Sequence, residues 1–152
     1  VAGGSTAGSL TGTGTTGCIV FNNILNPAYG GVSVHSGPPT NIIELNPTST
    51  PGHFYVTYAY GLSTSPSSPF VQVALQTSTD LVNWTTYNTY AIMVQNSFPI
   101  HTMSLTVTVT QAPTYIRLYN VRTAGFSLGF DGGTDASLTN CPMAYINVMQ
   151  TD

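Results

Sequence analysis

Charge is what this sequence has least of. Lysine is absent, Arg117 and Arg122 are the only strongly basic side chains, and Asp, Glu, Lys and Arg together make up 5% of the 152 residues, against about a quarter of an average soluble chain. Two guanidinium groups are too few to displace the counterions on which phosphate-backbone binding depends, which excludes nucleic acid as a partner. Long apolar runs are missing as well. No stretch approaches about 18 consecutive apolar residues, so the chain holds no membrane-spanning helix. Glutamate occurs once, at Glu44; a carboxylate pair for glycoside hydrolysis would have to be assembled from Glu44, Asp80, Asp131, Asp135 and Asp152, which share no motif spacing. His35, His53 and His101 are scattered, without the HxxxH or HExxH spacing of a metal site. Cysteine occurs twice, at Cys18 and Cys141, with no CxxC pair and no His beside either, which argues against zinc and thioredoxin chemistry. A Cys18–Cys141 disulfide, closing a loop of over a hundred residues, would stabilise by about 4 to 5 kcal/mol in the chain-entropy model. Two buried free thiols are the alternative.

What the sequence does hold is hydroxyl. Ser and Thr supply about a quarter of the residues, with Tyr, Asn and Gln providing much of the remaining polarity, a composition that leans away from helix towards strand and turn. The first 17 residues, VAGGSTAGSLTGTGTTG, are small and uncharged. Such a segment cannot bury enough apolar surface to offset the entropy of ordering it, and is held only where something ties it down. We therefore divide the chain into a tail, residues 1–17, and one domain, residues 18–152, of a size that supports its own core. The chain starts on Val1 rather than Met, from which export after removal of a leader is expected.

Beyond the tail the sequence reads as short strands punctuated by Pro, Gly and Asn: CIVFNNIL, then GGVSVH and TNIIEL across SGPP, then HFYVTYAYGL with Phe54, Val56, Tyr58 and Tyr60 on one side. FVQVALQTS sets Val71, Val73 and Leu75 against Gln72, Ala74 and Gln76. WTTYNTYAIMV is long enough to bend or to form two strands, and HTMSLTVTVT turns Met103, Leu105, Val107 and Val109 inward and Ser104, Thr106, Thr108 and Thr110 outward. TYIRLYNVR separates Ile116 and Leu118 from Tyr115, Arg117 and Tyr119; AGFSLGF and MAYINVMQ, with Ala144, Ile146 and Val148 on one face, complete the series. No segment of ten or more residues has helical spacing. Eight to ten strands at this spacing predict an all-β antiparallel β-sandwich, jelly-roll or immunoglobulin-like.

Motifs of chemistry are weak. GFSLG, residues 125–129, matches the G-x-S-x-G nucleophile elbow, but no helix follows Ser127 and no His lies after it, so a glycine-assisted strand bend is expected instead. Asp131 and Asp135 in FDGGTDAS could meet a hard cation, yet the loop lacks the dense oxygen ligands of a calcium site and reads as a solvated turn. No catalytic residue, metal or cofactor is assigned. Asn83 in NWT is the sole N-glycosylation sequon, placed after an expected turn where an acceptor is accessible. Trp84, Tyr87 and Tyr90 lie close together, as sugar-stacking rings do, although Tyr87 and Tyr90 face opposite sides of a straight strand.

The hairpin VQVALQTSTDLVNWTTY, with S-x-D-x-x-N-W at its turn, and the later TYIRLYNV resemble a strand pair of many secreted and viral β-sandwich modules. Taken whole, the neutral, hydroxyl-rich chain with a small-residue tail resembles the subunits of archaeal extracellular thread-like filaments. That resemblance implies a non-enzymatic, extracellular or cell-surface protein whose partners are copies of itself, each tail completing the sheet of the next subunit. Val1, Ala2, Ala7 and Leu10 are then the apolar anchors of the interface, and covalent glycans are possible additions. Two alternatives stay open: a viral capsid or decoration protein stapled by its tails, and a secreted carbohydrate-binding module built around Trp84.

Overall fold

The computed structural model describes residues 2–3, 9–10, 28–36, 42–61, 70–93, 100–120, 126–127 and 144–151. They form twelve strands and no helix: β1 (Ala2–Gly3), β2 (Ser9–Leu10), β3 (Ala28–Tyr29), β4 (Val32–Val34), β5 (Ile43–Leu45), β6 (Gly52–Gly61), β7 (Phe70–Ser78), β8 (Thr85–Met93), β9 (Ile100–Val109), β10 (Thr114–Asn120), β11 (Phe126–Ser127) and β12 (Ala144–Gln150). The count exceeds the expected eight to ten because β1, β2 and β3, two residues long each, lie outside the segments read as strands. The expected strand CIVFNNIL lies outside the described residues.

Every pairing is antiparallel. One sheet runs in the order β1-β12-β6-β9 and the other in the order β3-β4-β5-β10-β7-β8, with a two-stranded β11-β2 ladder beside them. The chain passes from one sheet to the other between β5 and β6, β6 and β7, β8 and β9, and β9 and β10. As a result β6 pairs with β9 in one sheet while their successors, β7 and β10, pair in the other. These crossovers set the two sheets face to face over one shared core, a β-sandwich.

The core between the sheets is the set of inward faces that period two requires. Phe54, Val56, Tyr58 and Tyr60 of β6 meet Val107 and Val109 of β9, Ile146 of β12, and Ile43, Leu45, Val73, Leu75, Ile116 and Leu118 from the other sheet, all buried. Met103, Leu105 and Val148 pack against this cluster from its margin. Tyr58 places its hydroxyl in this apolar interior with no hydrogen-bond partner among the described residues, and burial raises its pKa. Thr102, Ser104, Thr106 and Thr108 of β9 face solvent.

Three local features add to the sequence reading. Gly30 and Gly31, expected inside a strand, instead form the two-residue turn of the β3–β4 hairpin, with φ of 54° and 75°. Both positive values suit a type I′ turn, which glycine enters without steric cost. Ala74 and Gln76, on the face of β7 opposite Val73 and Leu75, are buried too, because β10 sets Tyr119 beside Ala74 and Arg117 beside Gln76. Finally, β8 is one strand, but its register against β7 slips: Leu75 pairs with Asn88 and Gln76 with Thr86, leaving Tyr87 as the extra residue of a bulge.

Candidate functional site

The two edges of the four-stranded sheet are treated differently, and both treatments can be traced to particular residues. At one edge, β9 would present its outward backbone groups to any passing strand. The bulge in β8 re-aims the Tyr87 side chain, as bulges do, and its hydroxyl donates to the Thr106 carbonyl (3.0 Å) while accepting the Thr108 N–H (3.3 Å). One phenol therefore occupies a donor and an acceptor of the β9 edge. It also joins the last strand of one sheet to the last strand of the other.

At the opposite edge lies β12. Ala2 pairs with Tyr145 and Gly3 with Ala144, so the first residues of the tail extend the sheet beyond β12. Ser9 and Leu10 pair with Ser127 and Phe126 in the separate ladder. Both contacts are backbone pairings within one chain. Among the expected interface anchors, Ala2 and Leu10 thus take part in strand pairing, whereas Val1 and Ala7 lie outside the described residues. Ser127, weighed as a nucleophile, is part of the two-residue strand β11.

The β7–β8 connection carries the sequon. Ser78 is its anchor: the hydroxyl accepts the N–H groups of Asp80 (3.2 Å) and Leu81 (3.0 Å) and donates to Asp80 Oδ1 (3.0 Å). Asp80 in turn accepts the N–H groups of Val82 (2.9 Å) and Asn83 (2.7 Å) on Oδ1 and the Asn83 side-chain amide on Oδ2 (2.7 Å). These donors, the Asn83 backbone N–H first, hold the Asp80 carboxyl well below the usual carboxylate range. Leu81 takes φ of 63° at the tightest point. Asn83 is exposed, as the sequon requires, and its amide is held in a fixed position by Asp80. The S-x-D-x-x-N-W pattern thus has a physical meaning, in which Ser, Asp and Asn close the loop by hydrogen bonds.

Trp84, the last member of that pattern, is not a free platform. Its indole N–H donates to the Leu81 carbonyl (3.2 Å), and the Arg117 guanidinium lies 4.0 Å from its ring centroid. Tyr119 covers Arg117 from a second side at 4.5 Å, and Arg117 Nε donates to Gln76 Oε1 (2.9 Å). Further along the same face His35 meets the edge of Tyr115 at 5.4 Å and approaches Glu44, with 3.6 Å between Nδ1 and Oε2. The outer face of the six-stranded sheet is thus covered by its own half-buried aromatic and polar side chains. The sequence hint was the placement of Tyr115, Arg117 and Tyr119 on one side of β10; the contacts of Gln76 and Trp84 with Arg117, from strands distant in sequence, had no such signal.

Cys18, Cys141, Asp131, Asp135 and Asp152 lie outside the described residues. Among the described residues no three His, Cys, Asp or Glu side chains come together, and no helix is long and apolar enough to cross a membrane. Comparison with protein-family models and with curated proteins finds no match in either.

Proposed function

We propose that this chain is a structural, non-enzymatic subunit of an extracellular filament, polymerising head to tail as residues 1–17 of one copy pair with the β12 edge of the next. The observation that carries the reading is the pairing of Ala2 and Gly3 with β12: a sheet edge is completed by a short strand from a segment that has almost no apolar surface of its own. Two residues on an edge hold a tail weakly. The same ladder forms between chains if the tail is exchanged, which is the economy of domain swapping. Backbone pairing supplies the hydrogen bonds, and small side chains let the tail lie close to its acceptor.

Reach and polarity fit this scheme. Seventeen extended residues span about 55 Å at 3.3 Å each, against a radius of gyration near 14 Å for the rest of the chain. The tail can cross a neighbour. An exchanged tail makes a heterologous contact, which propagates into a fibre unless the rotation closes it into a ring. Tyr87 occupies part of the β9 edge, whereas on the other side of the same sheet β12 accepts the Ala2–Gly3 strand. A hydroxylated chain with few charges limits charge repulsion between stacked copies.

Comparing the full chain with residues 18–152 by electron microscopy and size-exclusion chromatography tests the reading. The full chain is expected to form fibres, and the truncated chain none; a synthetic peptide of residues 1–17 should bind the truncated chain without polymerising it. Fibres of normal appearance from the truncated chain would refute the proposal.

A further inference from the structure

At one end of the sandwich the β7–β8 loop and the β9–β10 turn flank an open groove of about 320 Å³, whose lining includes Thr79, Asn83, Thr85, Tyr87, Thr110 and Gln111. That volume falls in the lower part of the range of small-ligand sites. Every lining side chain is a hydroxyl or a carboxamide; none is charged and none is aliphatic. Both walls are fixed before any ligand arrives. Ser78 and Asp80 tie down one loop, and Thr114 Oγ1, donating to the Gln111 carbonyl at 2.6 Å, closes the other. By contrast, the side chains of Thr79, Thr85, Thr110 and Gln111 make no hydrogen bond among the described residues and are exposed to whatever enters.

We propose that this groove binds a neutral saccharide. No lining side chain carries a charge to pair with an ionic ligand, and a wholly apolar ligand would bury the lining hydroxyls and amides without partners. An extended peptide would need main-chain groups, and those of the neighbouring β9 edge at Thr106 and Thr108 are taken by Tyr87. A sugar ring, with a donor and an acceptor on each hydroxyl, matches alternating Thr hydroxyls and the amides of Gln111 and Asn83. Tyr87, 42% exposed, offers ring surface beside them. The saccharide has two possible sources: the first units of a glycan carried on Asn83 at the rim, or a free saccharide chain. This inference does not depend on polymerisation.

The test begins with full chain from a host that lacks N-glycosylation, titrated with N,N′-diacetylchitobiose and with methyl α-mannopyranoside while backbone amides are followed by NMR. Glycerol serves as the non-ring polyol. Saturable shifts confined to Thr79, Asn83, Thr110 and Gln111 are expected, weakened about tenfold in the Thr110→Val, Gln111→Ala double variant, the scale of one to two lost hydrogen bonds. Both positions are on the surface, and unchanged methyl resonances of Leu75 and Ile116 would show that the core is intact. Chain from a glycosylating host then identifies the source. Groove amides already shifted, and restored by Asn83→Gln, point to the attached glycan; an unmodified Asn83 with an open groove points to a free one. Absence of saturable shifts with both sugars, equal shifts with glycerol, or full binding by the double variant overturns the proposal.

Discussion

Replacing Tyr87 by Phe removes one oxygen and leaves the ring, so it isolates the contact that joins β8 to the β9 edge. Two hydrogen bonds are lost, a donation to the Thr106 carbonyl and an acceptance from the Thr108 N–H. Each is worth about 0.5 to 1.5 kcal/mol net in general. Thr106 and Thr108 are exposed, so water replaces the phenol, which puts the total near the bottom of that range, about 1 kcal/mol for the pair. For a chain of this size such a loss lowers the melting temperature by about 2 to 4 °C. The local effect is sharper than the global one. The Thr108 amide, held by Tyr87 in the wild type, should exchange with solvent much faster in the variant, while the Val107 amide, in the same strand but not bonded to the phenol, should change little. Thermal unfolding by circular dichroism and native-state hydrogen exchange by NMR measure the two effects. An unchanged melting temperature together with unchanged Thr108 protection would refute the argument that this phenol guards the edge.

Two further outcomes follow from local geometry. Gly31→Ala should destabilise strongly, by about 3 kcal/mol or more, since a Cβ there would lie 2.3 Å from the Asn46 carbonyl oxygen at φ of 75° and both overpacking and left-handed strain contribute. Gly30→Asn, where the nearest atom is 3.9 Å away at φ of 54°, should be close to neutral; urea unfolding of the pair separates strain from a general sensitivity of the hairpin. Asp80 gives the pH dependence. Its folded pKa is depressed, so its contribution is present above the unfolded value of about 4 and is lost as pH falls below that value towards the folded one. Wild-type melting temperature should therefore decline more steeply in that acid window than that of Asp80→Asn, and parallel declines would show that the loop bonds carry no linkage.

How much could be read in advance varied with the range of the interaction. Alternation along HFYVTYAY, HTMSLTVTVT and TYIRLYN assigned the buried faces of β6, β9 and β10 correctly, because period two is a local property and one side of each strand must meet the core. On β7 it separated the two faces without showing that Ala74 and Gln76 are buried too. Tyr119 and Arg117 of β10 lie beside them, and register between distant strands leaves no trace in either one. The same applied to Tyr87. Its spacing from Tyr90 gave no sign of the bulge, which exists only relative to β7 and turns the Tyr87 hydroxyl to β9.

By itself, then, the sequence determined an all-β sandwich of low charge with a tail unable to build its own core, because composition and periodicity act residue by residue. It also marked Asn83 and the S-x-D-x-x-N-W turn, whose hydrogen bonds span only a few residues. Only the tertiary structure decided that the tail meets β12, that Tyr87 occupies β9, and that two loops flank a hydroxyl-lined groove. Each of these joins segments far apart in the chain, and their meeting is set by how the two sheets pack face to face rather than by the preference of any single segment.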